Sequence, residues 1–398
     1  MGAYILKRLL LVIPTLLGIM IVNFTLTQFV PGGPIEQILA RVEGGGDSMR
    51  NLTGGGGDSG QAQGGDDQGY QGARGISPQQ LAQLEVQMGF SRIVCEEGYQ
   101  GVPSVTAPEC RTEKIGAVER FFIMMGHYLT FDFGKSYFHN ETVMQLISEK
   151  MPVSITLGLW STLLAYLISI PLGIRKAVRD GTSFDTWTSA VIVVAYAIPG
   201  FLFAVLLLVL FVSGNCFHIP FIPESWNPTC YRLFPLRGLT SDNFDTLTTL
   251  GKAKDYLWHI VLPITAITIS SFATLTLLTK NSFLDEINKQ YVVTARAKGL
   301  TEHRVLYGHV FRNAMLIVIA GFPSTFLGVF FGSSIIVETI FSLDGLGLLG
   351  FQAAVERNYP VIFGTLYVFG LISLVVGILS DMMYVFVDPR IDFEKRGG

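Results

Sequence analysis

Apolar residues along this chain neither alternate nor recur on one helical face; they run on. Six windows hold about 20 mostly apolar residues, the length a helix needs to cross roughly 30 Å of hydrocarbon. They are residues 9–30, 152–174, 187–213, 259–279, 314–338 and 360–387. The polar interval 31–151 is the longest and changes character along its length. Residues 44–75, GGGDSMRNLTGGGGDSGQAQGGDDQGYQGARG, hold almost nothing to bury, so the pattern predicts a flexible stretch that cannot offset the entropy of ordering. Ser77 before Pro78 predicts a helix start, and a segment bounded by Cys95 and Cys110 follows. ERFFIMMGHYLTFDF, 119–133, predicts a helix too short to span. With Phe121, Phe122, Met125, Tyr128 and Leu129 as its apolar face, it would lie on the membrane surface.

These elements predict an all-α integral membrane protein with six transmembrane helices and a long external loop after the first. The division is 1–30, the N-terminus and first span; 31–151, the external loop with 44–75, 95–110 and 119–133 as its parts; and 152–398, a core of five further helices. Lys7 and Arg8 ahead of an apolar core resemble a signal peptide, but the run ends in PGGP without a small-x-small cleavage pattern, so it reads as a retained anchor. Prolines 14, 152, 171, 199, 263, 323 and 360 punctuate the spans, as suits helices that kink.

Composition agrees: 398 residues are 49% hydrophobic and only 15% charged, outside the range of an ordinary soluble domain. The net charge of −3 and the placement of basic residues at span ends exclude a nucleic-acid surface. Lys and Arg crowd the short segments 1–8, 175–186, 280–313 and 388–398, which places both termini in the cytoplasm. Cys95 and Cys110 fall in the first outside loop and Cys216 and Cys230 in the second, where an oxidising compartment favours two local disulfides. The alternative is four unpaired thiols; no histidine sits at ligand spacing from either pair, so no metal site is expected.

The chemistry a driven carrier needs is missing from the spans. Helices two to four carry no Asp, Glu, Lys or Arg through their cores, which argues against proton relays. There is no GxxxxGK[ST], so this chain is not expected to hydrolyse ATP, and no catalytic residue is assigned. GLGLLG, Gly345 to Gly350, matches a dinucleotide fingerprint by letter, but it follows a membrane helix rather than a strand and is rejected. The six histidines, 127, 139, 218, 259, 303 and 309, are scattered.

One polar segment between two spans has more structure than a connection needs. SFLDEINKQYVVTARAKG predicts a helix ending at Gly299, a residue suited to a left-handed C-cap, and Thr301 starts the next helix. Ala295 and Ala297 leave room for close approach. Such an element, in the cytoplasmic loop 280–313, would pass movement between spans four and five and a soluble partner.

YVVTARAKGL followed by HVFRNA resembles the coupling-loop motif of permease subunits of binding-protein-dependent ABC importers, specifically the B-type subunit of the dipeptide/oligopeptide/nickel class. The likeness extends over ILKRLLLVIPTLLGI…PGGP, FDFGKSY, IVETIFSLDGLG, ERNYPVI and LSDMMYVFVDPRI. Asp344 stands where that class has proline before Gly-Leu-Gly, and Asn358 where it has Asp before Tyr-Pro. The extended external region looks most like the branch that takes up oligopeptides and peptide-nucleotide antibiotics of the microcin C type. The resemblance implies a type I ABC importer permease fold in the bacterial inner membrane. It implies as partners a second homologous permease, two ATPase domains or subunits, a periplasmic binding protein and a peptide substrate. No cofactor is implied in this chain, since ATP and Mg belong to the ATPases. The coupling residues it implies are Tyr291, Thr294, Ala295, Arg296, Ala297, Lys298, Gly299 and Leu300. The rival reading is a self-contained channel or ion-coupled secondary transporter.

The orientation is open to direct measurement. A cysteine introduced at Gly64 is expected to react with an impermeant thiol reagent added outside intact cells, above the labelling of the parent chain, and one at Lys298 is not. The opposite pattern would invert the topology.

Overall fold

The computed structural model describes residues 2–29, 33–36, 78–96, 99, 101–212, 233–328, 330 and 334–387. The Gly-rich stretch 44–75 and the pair Cys216 and Cys230 lie outside these residues. In chain order the elements are α1 (Gly2–Phe29), α2 (Pro78–Gln87), β1 (Ser91–Cys95), β2 (Cys110–Lys114), α3 (Ala117–Leu129), α4 (Val143–Val178), α5 (Ser183–Ala197) and α6 (Gly200–Phe211). They continue as α7 (Thr249–Ile287), α8 (Gln290–Ala297), α9 (Glu302–Val305), α10 (Phe311–Ala320), α11 (Phe322–Gly328), α12 (Ser334–Ile340), α13 (Leu346–Glu356) and α14 (Tyr359–Val387).

Among the described residues four helical runs are long and apolar enough to cross a membrane: Tyr4–Phe29, Val143–Val178, Glu302–Gly328 and Tyr359–Met383. Six is reached only if the bent pair α5–α6 and the two limbs of α7 each count as one span. The window 187–213, expected as one helix, is divided between α5 and α6, which meet at 91°. Pro199 is the cause, since it has no N–H for the preceding turn and its ring excludes the helical path. The window 314–338 is likewise displaced. Its helix begins at Glu302 and ends at Gly328, and α12 is a separate short element.

Two compact units divide the chain, and they do not follow the chain-order division 1–30, 31–151 and 152–398. One comprises Met1–Thr15, Ile147–Phe351 and Phe369–Gly398; the other, Leu16–Leu146 and Gln352–Val368.

In the larger unit α4 meets α7 through a column of small residues at every fourth position: Ser161, Ala165, Ser169, Gly173 and Ala177. Four-residue spacing keeps them on one face of a 3.6-residue helix. Ser169 Oγ donates to Phe272 O at 3.1 Å, and Thr268 Oγ1 to Ser161 O at 3.4 Å. At Gly173 the approach is closest, because a Cβ there would lie 2.6 Å from Thr279 Cβ and 2.9 Å from Thr276 O. Two apolar clusters flank this seam. One joins Leu157, Ala204, Ile264 and Phe341; the other joins Ile174, Phe283, Val310 and Met315. The outward faces stay apolar, with Leu167, Trp187, Val191 and Ile317 each more than half exposed, as a lipid-facing surface requires.

The smaller unit corrects the all-α expectation in one place. β1 and β2 form an antiparallel two-stranded ladder in the register Ser91↔Lys114 to Cys95↔Cys110, and Cys95 and Cys110 are bonded to each other at its loop end. The surface helix also differs from its expected span. It ends at Leu129 rather than 133, because Phe131 (φ 58°) and Gly134 (φ 73°) turn left-handed and the Gly134 N–H is held by Asp132 Oδ1 at 3.1 Å. Its apolar residues divide between two faces, with Tyr128 buried while Phe122 and Leu129 are 68% and 71% exposed. Tyr128, Phe131, Phe133 and Tyr367 stack edge to face beneath it. Ser136 and Asn358 lock the motif FDFGKSY: Asn358 Nδ2 donates to Ser136 Oγ at 2.7 Å, and its Oδ1 accepts from the Tyr137 N–H at 3.2 Å. An aspartate would lack that donor, which gives Asn358 a physical role in this chain. Burial pushes the Tyr137 phenol well above its ordinary range, so it stays protonated and donates to Met88 O at 3.2 Å.

Gly173→Leu should force α4 and α7 apart and cost about 1–3 kcal/mol, the usual penalty of overpacking. Gly18→Leu, with nothing among the described residues outside its own helix turn within 4 Å of an added Cβ, should be neutral. Thermal unfolding in detergent checks this, and equal stability of the two variants would contradict the close packing.

Candidate functional site

The helix expected from Ser282 to Gly299 is in fact two. α7 stops at Ile287, Lys289 is extended (φ −76°, ψ 152°), and α8 restarts at Gln290. The break is tied on both sides by Glu286. Its Oε2 accepts from Tyr291 Oη at 2.8 Å, and its Oε1 pairs with Lys289. Burial and the facing Glu286 carboxylate push the Tyr291 phenol above its ordinary range, which keeps it a donor. Asn288 closes the end of α7 by donating to Leu284 O at 2.9 Å. Sequence reasoning missed this joint; the only local hint was Asn288, a residue that competes with the helix backbone.

The far end of α8 stops as a Schellman motif. Gly299 is left-handed (φ 80°), its N–H donates to Arg296 O at 2.9 Å, and the Leu300 N–H reaches back to Ala295 O at 3.4 Å. Leu300 and Ala295 share one apolar cluster, the hydrophobic contact that accompanies this stop. Arg296 spans the turn to the first residue of α9, with Nε and Nη2 at 3.0 and 3.1 Å from the Glu302 carboxylate. After α9 the chain makes one π-turn, Leu306–Val310, that contains Gly308.

The eight residues expected to meet a partner therefore divide. Val292 and Ala295 face inward against Val305, Val310 and Met315, so Ala295 seats α8 on its own chain. Tyr291 and Leu300 are half-buried anchors at the two ends, while Thr294, Arg296, Ala297, Lys298 and Gly299 are exposed. Val293, 54% exposed, and Tyr307, 49% exposed, add apolar surface beside them that the sequence reading did not single out. The surface is thus a short helix end, cationic and partly apolar, packed from behind against its own chain.

GLGLLG lies elsewhere in the same unit, and its geometry explains its first glycine. The Leu348 N–H donates to Glu338 Oε2 at 2.8 Å, and the Leu346 N–H to Ser154 Oγ at 2.9 Å. Glu338 is completely buried, and a Cβ on Gly345 would lie 2.3 Å from its Oε1. In the first turn of α13 the Leu348 amide therefore meets a carboxylate of the same chain, as an acidic group at a helix N-terminus should, and the Leu346 amide meets a hydroxyl. Asp344 pairs with Lys150 on α4, a contact that proline could not make.

Residues 169–393, which include this surface, match the family described as binding-protein-dependent transport system inner membrane component. The peptidoglycan transport system permease protein YejB of Agrobacterium fabrum (strain C58) is 53% identical over 399 residues, covering 100% of both chains. The inner membrane ABC transporter permease protein YejB of Escherichia coli O157:H7 is 51% identical over 403 residues, again covering 100% of both. The oligopeptide transport system permease protein AppB of Bacillus subtilis (strain 168) is 29% identical over 398 residues, covering 99% of this chain and 100% of the relative. With more than half of its length matched by the family and end-to-end likeness to these permeases, this chain belongs to the binding-protein-dependent transport system inner membrane components.

Proposed function

We propose that the chain is one of two homologous permease subunits of a peptide-importing ABC transporter. Six spans with both termini in the cytoplasm adopt a type I importer fold. Two ATPase domains bind beneath it, and a periplasmic binding protein delivers peptide from outside. ATP and Mg are bound and used in the ATPases. The observation that carries this reading is the α8 surface within the family's matched region, a helix end too short and too well anchored to be a mere connection. Substrate class follows from the relatives, whose names specify peptidoglycan and oligopeptide transport; the shared chemistry is a short peptide. Peptide affinity rests mainly with the binding protein. The exposed residues Thr294, Arg296, Ala297, Lys298 and Gly299 meet the ATPase, and Tyr291, Ala295 and Leu300 hold them in place. Cys216 and Cys230 form a second local disulfide.

In proteoliposomes the chain alone should move no labelled oligopeptide. Uptake should require the second permease, the ATPases, the binding protein and ATP. Transport by the chain alone, without ATP, would support the self-contained carrier instead.

Gly299→Val should strain a left-handed position by roughly 1–2 kcal/mol. Among the described residues nothing beyond the chain neighbours lies within 4 Å of an added Cβ, so a larger effect points to the docked partner. Peptide-stimulated ATP hydrolysis and uptake should fall together, while peptide affinity of the binding protein stays unchanged. Gly308→Val, whose added Cβ would lie 4.0 Å from Arg304 Cγ, should be much milder. Near-normal uptake in both variants, with the ATPase still bound, would remove Gly299 from the coupling surface.

A further inference from the structure

Lys176, near the end of α4, is a cation with no exposed surface. Its Nζ donates to Asp185 O at 2.9 Å and to Thr188 Oγ1 and Ser189 Oγ at 2.8 Å, and it pairs with Asp185 Oδ1 at 2.9 Å. The other oxygen of that carboxylate, Oδ2, lies 2.7 Å from Lys280 Nζ on α7 and accepts the Gly181 N–H at 3.3 Å. Lys280 pairs also with Asp180 Oδ1 at 2.8 Å. Two lysines and two aspartates thus form a neutral set, with Asp185 at its centre, joining the end of α4, the α4–α5 turn and α7.

Burying charge is a poor route to stability. Two ions leaving water lose about as much as their attraction returns, and apolar side chains of like volume often do as well. What such a cluster supplies instead is geometry, because each lysine must meet defined oxygens. Its position makes that geometry useful. Lys280 lies about two turns before α7 ends at Ile287. Beyond it α7 is fastened to α8 through Glu286 and Tyr291, and to α10 through Ser282, which donates to Ala314 O, and through the buried Phe283. On the other side of the cluster Asp185 lies in the first turn of α5, the start of the pair bent at Pro199.

We propose that Lys280 and Asp185 are positioning residues for energy coupling: their ion pair carries displacement of α8 along the end of α7 into the bent pair α5–α6. The inference rests on the importer reading. Its signature is loss of communication without loss of assembly, because replacing Lys280 leaves the neutral pair Lys176–Asp185 intact.

The test uses the complete transporter in lipid nanodiscs, carrying Lys280→Met, Lys280→Arg or no change. ATP hydrolysis is measured with and without the peptide-loaded binding protein, alongside subunit stoichiometry and melting temperature. Lys280→Met should assemble normally, yet its stimulation over basal hydrolysis should drop about tenfold, within the range known for coupling residues. Lys280→Arg, which keeps the charge, should recover most of the stimulation. Wild-type stimulation in assembled Lys280→Met would overturn the proposal. So would poor assembly in which the assembled fraction is stimulated normally, since that describes a structural staple. Absence of stimulation in the unchanged complex would instead remove the importer reading and this inference with it.

Discussion

Helices surrounded by hydrocarbon gain little by burying apolar surface against one another, since lipid tails offer the same environment. Their association has to come from close backbone approach and from polar groups that find partners. The seam between α4 and α7 satisfies both conditions. Small side chains at every fourth position of α4 let the two backbones meet, with Gly173 under Thr276 and Thr279, and hydroxyls of Ser169 and Thr268 bridge to carbonyls across it. The apolar clusters on either side are arranged around that contact.

With α4 and α7 set, the polar groups that lie deep in the unit become intelligible. Ser154 and Lys150 on α4 face Glu338, Leu346 and Asp344, so the short helix α13 starts against α4 rather than in open lipid. At the other end of the same two helices Lys176 and Lys280 converge on Asp185. None of these charges is solitary, in keeping with the cost of an unpaired ion away from water. The surface at α8 rests on the same framework, since Val292 and Ala295 pack into the cluster that includes Ala177 of the α4 column.

Much of this was legible from residue order because it is local. Apolar run length announced the membrane class, and the glycine after TARAK announced a left-handed stop, since φ near 80° excludes most side chains. What was not legible depends on residues far apart. The break at Lys289 follows from Glu286 capturing Tyr291, a tertiary choice that overrides a segment of good helix formers. Ala295, read as clearance for a partner, also gives clearance to its own chain, which only the packing of α8 discloses. The strand ladder at Cys95 and Cys110 was hidden because SRIVC and CRTEK are short and lack alternation, leaving the cysteines as the only signal. The fingerprint GLGLLG was rejected on context, yet nothing in the sequence disclosed that a glutamate seven residues earlier is what its first glycine accommodates.

The right-angled turn between α5 and α6 has a consequence for what must lie beside it. α5 has 15 residues and α6 has 12, so neither alone reaches across roughly 30 Å of hydrocarbon. Pro199 cannot supply the N–H that the Ala195 carbonyl would otherwise receive, and Tyr196 beside it is 66% exposed. Irregular backbone is tolerated at membrane depth only where protein or water covers it. If α5 and α6 together make one span, the turn at Pro199 therefore needs protein or water against it, and the exposed Tyr196 marks where that cover has to sit.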